Sequence, residues 1–388
     1  MFIKKLFTGA LFFLLTLPVF AQTQHRFKDM IFKDVTIDEN INYSNSSDKK
    51  AHLFDIYQPH DDTAHKRPLI IWMHGGGFKF GSKEAKGIKL WSNTFAQRGY
   101  VCVAINYSMS KRPAIFGISI SDLQKSTYYA VQDLKQAIDY FKLNAEKYKI
   151  DTNKIILGGN SAGGIMALQA AYSNNAELGE LVGLTNGEAD MHSKKYLNIA
   201  GVINFWGAIF DIHWLKNAKT PIVQVYGSTD GTIDPGHKGT PMYGAASIHK
   251  EADELKIPNV VKVYEGYSHE LQKHFNPIFS PGKDTEERWA QAGQFAADFL
   301  YEQLFEVKVK PNKKGAKPNA TTLDYRTMWK APEKKAEPVA EKPKSAASKS
   351  APVVEKPKPA AIDTGTSLDY RTMWPSEGKP AAKKKPKS

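Results

Sequence analysis

The chain of 388 residues is poor in cysteine, because Cys102 is its only one. A single cysteine excludes an internal disulfide. No cysteine directly follows the apolar N-terminal segment, which excludes a lipid-anchor cysteine there. Cys102 lies in the apolar run Val101–Ile105, so we expect it to be a small buried hydrophobic residue.

The chain also lacks an apolar run long enough to cross a bilayer, which takes about 20 residues. The longest such run, Leu6–Leu17, follows Lys4 and Lys5 and precedes Val19-Phe20-Ala21. A positive start, a short apolar segment and small residues around a cleavage site are typical of a secretory signal. Residues 1–21 are therefore predicted to be a signal peptide. We expect export to the periplasm or the extracellular space, with association to the envelope.

A strong net charge is absent from most of the chain, although the total is +13. Residues 306–388 hold 20 of the 53 Lys and Arg but only 9 of the 40 Asp and Glu. The remaining body is close to neutral, which argues against nucleic-acid binding. The same segment holds 11 of the 21 prolines and shows no apolar period. Its composition predicts a disordered Lys/Pro/Ala-rich tail.

An internal repeat lies within this tail. Leu323-Asp-Tyr-Arg-Thr-Met-Trp329 recurs without change as Leu368-Asp-Tyr-Arg-Thr-Met-Trp374. Aromatic and arginine side chains often carry binding energy at interfaces. The repeat therefore favours a docking motif for an anionic envelope component or a protein partner. The alternative is a duplication without a role.

Residues 28–305 have the pattern of one folded α/β domain, in which apolar strand-like runs alternate with helical periods. Strands are predicted at 35–43, 51–57, 69–73, 100–107, 155–157, 199–206, 221–226 and 260–264, the first two as an opening pair. Helices are predicted at 82–97, 126–148, 162–173 and 286–304. Residues 174–198 fit neither period and are interpreted as an insertion that covers a pocket.

The motif Gly159-Asn160-Ser161-Ala162-Gly163 matches G-x-S-x-G and stands between a short apolar run and a helical run. A sharp strand-to-helix turn would lift the Ser161 hydroxyl clear of the sheet. Its glycines are needed because a side chain there would collide with the flanking strand or helix. Ser161 is therefore the predicted nucleophile.

A serine hydroxyl needs a base and a carboxylate that orients the base. In the strand–turn–helix fold that this motif indicates, both follow the serine in the chain. Asp230 directly follows the predicted strand 221–226, and Asp234 is its rival. His269 follows the strand 260–264, and His274 is the second candidate. We expect Asp230 and His269, which sit at matching offsets from successive strands, to converge on Ser161.

His74-Gly75-Gly76-Gly77 follows the predicted strand 69–73 and matches the HGGG motif that forms an oxyanion hole. The backbone N–H groups of Gly76, Gly77 and Ala162 are the predicted donors to the oxyanion. His74 is expected to hold the loop without transferring a proton.

These residues together resemble the bacterial carboxylesterases of the α/β-hydrolase superfamily, in the hormone-sensitive-lipase-like and feruloyl/acetyl-esterase-like branches. The resemblance covers about residues 30–305 and not the tail. It is carried by the HGGG and G-x-S-x-G motifs and by three further segments: Asp55-Ile-Tyr-Gln-Pro59, Arg98-Gly-Tyr100 and Asn106-Tyr107. One departure is Asn160, where many relatives have Asp or Ser.

The resemblance implies an eight-stranded, mostly parallel sheet flanked by helices, and hydrolysis of carboxylic esters through an acyl-enzyme without a cofactor or metal. We expect small acyl or aryl esters as substrates, including esters on a polysaccharide. The alternatives are a serine peptidase or lipase of the same fold, and an envelope-binding protein defined by its tail. Five residues are candidates for the substrate pocket: Phe78, Trp206, Phe210, His213 and Trp214.

Overall fold

The computed structural model describes residues 25–44, 50–111, 119–184, 196–276 and 281–306. The predicted signal peptide at 1–21 lies outside these residues. So do the tail beyond Glu306, with both copies of the repeat, and residues 185–195 of the predicted insertion. Those predictions therefore stay predictions.

An eight-stranded sheet forms the centre of the described chain, with strand order β1-β2-β4-β3-β5-β6-β8-β10. The first two strands form an antiparallel pair, β2 pairs antiparallel with β4, and the remaining pairs are parallel. The mostly parallel sheet confirms the predicted fold class. The bounds of its strands are β1 Val35–Asn42, β2 Leu53–Pro59, β3 Arg67–Met73, β4 Val101–Ile105, β5 Ile150–Asn160, β6 Gly201–Phe205, β8 Ile222–Gly227 and β10 Asn259–Tyr264.

Helices cover both faces of this sheet, which explains why its central strands are apolar without alternation. Residues of α1 and α7 pack in one buried cluster, and residues of α2, α4 and α6 pack in the other. A two-stranded ribbon joins β7 and β9. The bounds are α1 Lys86–Ala96, α2 Ile120–Leu143, α3 Ala145–Tyr148, α4 Ala162–Tyr172, α5 Asn175–Leu181, α6 Ala245–Glu254, α7 Lys283–Leu304, β7 Ala208–Ile209 and β9 Tyr243–Gly244.

The structure differs from the sequence prediction most clearly at three helices. The second helix begins at Ile120 rather than 126, because the side chain of Ser119 caps it by accepting the N–H of Asp122. A short helix, α5, occupies part of the predicted insertion and begins with a capping box between Asn174 and Glu177. The helix α6 was not predicted, although its buried side chains recur at helical spacing.

The single cysteine, Cys102, is fully buried in β4, as predicted. Burial raises the pKa of its thiol well above the ordinary value, so it remains a thiol rather than a reactive thiolate. Among the described residues, no helix is both long and apolar enough to cross a membrane.

The parallel strands end together at one edge of the sheet. Met73 at the end of β3 is in register with Gly159 near the end of β5, and Gly227 of β8 with Tyr264 of β10. The segments that follow β3, β5, β8 and β10 carry the predicted catalytic residues and oxyanion donors, and the segment after β6 carries four of the five candidate pocket residues. Ligands bind at the carboxyl ends of the strands in such sheets, so this edge is the expected position of the site.

Candidate active site

Ser161 occupies a strained turn between β5 and α4. Its backbone has φ 52° and ψ −118°, a region that residues with a side chain rarely adopt. The N–H of Ser161 donates to the carbonyl of Phe205 at 2.9 Å, and its own carbonyl accepts the N–H of Ile165 at 2.9 Å. The turn is thus held from both sides, as the G-x-S-x-G motif predicts for a nucleophile.

The glycines around Ser161 are required by close packing. A Cβ at Gly163 would lie 1.9 Å from the carbonyl oxygen of Met73, and a Cβ at Gly159 would lie 2.4 Å from the carbonyl carbon of Gly163. Real contacts do not come so close. The motif therefore needs glycine at both positions, because α4 crosses directly over the ends of β3 and β5.

The imidazole of His269 bridges Ser161 and Asp230. Its Nδ1 lies 2.7 Å from Oδ2 of Asp230, and its Nε2 lies 2.9 Å from Oγ of Ser161. The carboxylate can only accept, so Nδ1 carries the proton, and Nε2 of the neutral ring accepts the serine hydroxyl. All three side chains are buried. The arrangement can deprotonate a hydroxyl and retain the proton nearby.

Asp230, not its rival, contacts His269. Its second oxygen, Oδ1, accepts the backbone N–H groups of Thr232 and Ile233 at 2.9 and 3.0 Å, which fixes the carboxylate. Asp234 instead closes its own turn, with Oδ1 accepting the N–H groups of Gly236 and Lys238. The second histidine candidate, His274, is exposed to solvent.

The loops that carry Asp230 and His269 are bonded directly to each other. The N–H of Thr229 donates to the carbonyl of Tyr267 at 3.0 Å, and the N–H of Gly266 donates to Oγ of Ser228 at 2.9 Å. A Cβ at Gly227 would lie 2.2 Å from the Tyr267 carbonyl oxygen, so only glycine permits this approach. Asp230 and His269, which are 39 positions apart in the chain, are thereby held at hydrogen-bond distance.

The glycine-rich loop after β3 has free backbone donors. Gly76 and Gly77 have φ 112° and 61°, the left-handed region that favours glycine. In the described part of the chain, the N–H groups of Gly76, Gly77 and Ala162 donate to no other residue. The N–H of Gly75, by contrast, is bound to Oδ1 of Asn160 at 3.1 Å. These three groups are available to an anion.

His74 lies beneath this loop as a buried neutral ring. Its Nδ1–H donates to the carbonyl of Gly75 at 2.8 Å, and the ring stacks on Tyr107 with centroids 4.4 Å apart. The Tyr107 hydroxyl donates to the His74 carbonyl at 2.6 Å. Burial lowers the pKa of His74 to about 4. His74 contacts the loop and neither Ser161 nor Asp230 among these bonds, which agrees with the predicted structural role.

The five candidate pocket residues divide into two groups. Four are buried in the core clusters, and one, His213, is exposed and bonded to Asp211 at 2.8 Å. The four buried residues pack in the core, and their role in a substrate pocket stays a prediction. They are Phe78, Trp206, Phe210 and Trp214.

Three residues near the site were missed by the sequence analysis. The ring of Phe275 meets the His269 ring edge to face, with centroids 4.9 Å apart. Glu270 follows His269 directly, and burial raises the pKa of its carboxyl. Phe80 is 60% exposed, and its carbonyl packs against Gly76. Position next to a motif was the only signal for the last two, and no signal pointed to Phe275.

The family model BD-FAE matches residues 54–234, from β2 to the turn at Asp234. Gut esterase 1 of Caenorhabditis elegans is 28% identical over 34% of this chain and 22% of its own length. The probable carboxylic ester hydrolase LipM of Mycobacterium tuberculosis is 29% identical over 37% of this chain and 30% of its own. The matches thus span less than a third of the length of these curated relatives.

Among solved structures, the chain is similar to Thermogutta terrifontis esterase 2 phosphorylated by paraoxon, at 21% sequence identity. The superposition covers 69% of this chain and 95% of that chain, with a TM-score of 0.49. The range matched by the family model includes the HGGG and G-x-S-x-G segments. The resemblance to carboxylic ester hydrolases that the sequence predicted is therefore confirmed, and the sheet order and strand directions establish the α/β-hydrolase fold.

Proposed function

We propose that this chain, an α/β-hydrolase related to carboxylic ester hydrolases, is a serine carboxylesterase that works through an acyl-enzyme. The observation that carries the proposal is the chain of two hydrogen bonds, 2.7 and 2.9 Å long, from Asp230 through His269 to Ser161. The family match and the named esterase relatives support the same reaction class.

In the first half-reaction, Oγ of Ser161 attacks the ester carbonyl while Nε2 of His269 takes the hydroxyl proton. Asp230 holds the ring in the tautomer with Nδ1 protonated and stabilises the imidazolium that forms. The tetrahedral intermediate collapses when His269 returns the proton to the leaving alcohol. In the second half-reaction, water attacks the acyl-serine with His269 again as base, and the acid is released.

The negative oxygen of each tetrahedral intermediate would be stabilised by the N–H groups of Gly76, Gly77 and Ala162. Their lack of partners among the described residues supports this role, because donors already aimed at an empty position need no reorganisation. One such donor is worth on the order of 3–4 kcal/mol in the transition state.

The finer parts of the proposal rest on the sequence. Residues 1–21 would direct export, and the enzyme would act in the periplasm or outside the cell. Its substrates would include small acyl or aryl esters carried by a polysaccharide. Phe80, 60% exposed beside the glycine loop, offers an aromatic surface against which a sugar or aryl ring could pack. The basic, repeat-bearing tail would dock to an anionic envelope component or a protein partner.

The test compares wild type with Ser161→Ala on p-nitrophenyl esters of increasing acyl length, on aryl esters and on an acetylated polysaccharide. We expect hydrolysis by wild type and its loss, to the residual level of a site without its nucleophile, in the variant. Ser92→Ala is the matched control, since Ser92 is buried in α1 with a hydroxyl that has no partner in the described structure. Equal inactivity of wild type and Ser161→Ala over all substrates would contradict the proposal.

A further inference from the structure

The turn that carries His269 has an unfavourable backbone. The two residues that follow the histidine, Glu270 and Leu271, both have φ 56°. The left-handed region is disfavoured for residues with a Cβ, and here it occurs twice in succession. Such a turn persists only where its surroundings hold it. His269 itself is 1% exposed, and it directly precedes these two residues.

Helix α7 supplies a hydrogen-bond donor to each of the two left-handed residues. The indole N–H of Trp289 donates to the carbonyl of Glu270 at 2.8 Å. The Nε–H of Arg288 donates to the carbonyl of Leu271 at 2.8 Å. Two neighbouring side chains of one helix thus bind the carbonyls of the two consecutive left-handed residues.

Both donors are themselves fixed. The Arg288 guanidinium lies over the ring of Tyr267, 4.3 Å from its centroid, and its Nη2 donates to Oγ1 of Thr285 at 2.9 Å. Trp289 is 5% exposed, and its carbonyl accepts the indole N–H of Trp91 at 2.8 Å. The helix therefore offers a rigid support and not two freely moving side chains.

We propose that Arg288 and Trp289 are positioning residues that keep His269 between Ser161 and Asp230. The inference rests on the proposed function, because it assigns His269 the role of base. Neither residue touches the reacting atoms; each acts through a carbonyl of the turn. Without either donor the turn relaxes toward a right-handed backbone, which moves the imidazole away from the serine hydroxyl. A displacement of about 1 Å at a reacting group can cost on the order of 100-fold in rate.

The first test uses Trp289→Phe, which keeps an aromatic ring in the core and removes only the indole donor. Its matched control is Tyr100→Phe, which also keeps a buried aromatic ring and removes only a side-chain donor to a backbone carbonyl. That donor, the Tyr100 hydroxyl, ends on Phe27 at 3.2 Å and not on the histidine turn or on either α7 donor. Arg288→Met and Arg288→Lys form a second pair, since only lysine retains a donor at the end of the side chain.

Two activities are measured for each variant, together with the melting temperature. One is kcat and KM on p-nitrophenyl acetate. The other is the rate of phosphorylation by paraoxon, in which Oγ of Ser161 forms a bond to phosphorus, p-nitrophenolate leaves and His269 takes the hydroxyl proton. This second reaction reports on the activated serine whether or not esters are the natural substrates.

We expect Trp289→Phe to lower kcat and the phosphorylation rate by the same factor, between about 10- and 100-fold, while KM changes less than twofold. Tyr100→Phe should lower the melting temperature to a similar extent and leave both rates within twofold of wild type. Arg288→Lys should retain more of both rates than Arg288→Met.

Equal rate losses in Trp289→Phe and Tyr100→Phe would overturn the proposal, since the effect would then come from a general loss of core stability. Unchanged rates in both Trp289→Phe and Arg288→Met would overturn it as well, as would a wild type that does not react with paraoxon. A wild type that reacts with paraoxon but hydrolyses no ester would contradict the proposed function alone, and the phosphorylation rates would still decide the role of α7.

Discussion

The side chain of Asn160 and the backbone of Gly75 join the nucleophile turn to the glycine loop: Oδ1 accepts the Gly75 N–H at 3.1 Å. The two residues are 85 positions apart, and both are buried. A Cβ on Gly75 would lie 2.8 Å from Nδ2 of Asn160, so the contact is close as well as polar. Asn160, the residue before the proposed nucleophile, thus sets the distance between Ser161 and two of the proposed oxyanion donors, Gly76 and Gly77.

This contact predicts a selective effect of Asn160 on the transition state. Asn160→Ala should lower kcat about tenfold, less than the roughly 100- to 1,000-fold loss that follows deletion of a direct oxyanion donor. KM should change little, because the oxyanion exists only in the transition state and the intermediates. Asn160→Asp, which keeps an acceptor oxygen, should retain most of the activity.

Steady-state kinetics on p-nitrophenyl acetate, with circular dichroism to confirm folding, would check the prediction for Asn160. If Asn160→Ala and Asn160→Asp lost activity to the same degree, the hydrogen bond to Gly75 would not be what the site requires from this residue.

The two aspartates of the segment after β8 have different predicted effects on activity. Asp230→Asn should lower kcat about 10⁴-fold, because the amide would hold the imidazole in the wrong tautomer. Asp234→Asn should leave kcat within a few fold of wild type, since among the described residues the Asp234 side chain accepts only from Gly236 and Lys238 of its own turn. Asparagine can still accept those two N–H groups through its carbonyl oxygen. Comparable kcat values for the two variants would contradict the assignment of Asp230.

Much of the fold and the central part of the site could be predicted from the sequence, for local reasons. The buried strands are continuous apolar runs, and Ser161 and the glycine loop lie in short motifs whose spacing does not depend on distant residues. Asp230 and His269 could be placed because in such a fold both partners follow Ser161 in the chain and lie just after the ends of strands. The sequence favours Asp230 over Asp234 because of its position at the end of β8. In the structure Asp230 contacts His269, while Asp234 accepts N–H groups of its own turn.

The remaining features depend on three-dimensional packing and had no local signal. The bond from Asn160 to Gly75 and the contact of Phe275 with His269 follow from how loops meet at the sheet edge. The donors on α7 reach the histidine turn from 17 and 19 residues away, and the sequence shows them only as part of an amphipathic helix. Helix α5 is different, because Asn174 and Glu177 form a capping box, which is a local sequence signal for a helix start.

The buried ring of His74 predicts how stability depends on pH. Burial lowers the pKa of His74 from the ordinary value of 6.5 to about 4 in the folded protein. Between these two values the unfolded chain binds a proton at this residue and the folded chain does not. The folded protein therefore loses stability as the pH falls through that window. Above about pH 7 His74 causes no such loss.

The size of this effect follows from the two pKa values. Between pH 7.5 and pH 5, the contribution of His74 to the free energy of unfolding should fall by about 2 kcal/mol. The carboxyl groups with a lowered pKa, such as Glu84 at about 2, remain ionised in both states over most of this range and contribute little to the change.

Urea unfolding at pH 7.5 and 5 would measure the effect in wild type, His74→Asn and His274→Asn. Asparagine at position 74 can still donate to the Gly75 carbonyl but does not titrate. Between the two pH values, the free energy of unfolding of His74→Asn should therefore fall by about 2 kcal/mol less than that of wild type. His274 is exposed, and its replacement should leave the wild-type dependence in place. If wild type and His74→Asn lost stability equally between the two pH values, the imidazole would have to be either protonated in the folded protein or solvated there, and the glycine loop would rest on a charged ring instead of a neutral one.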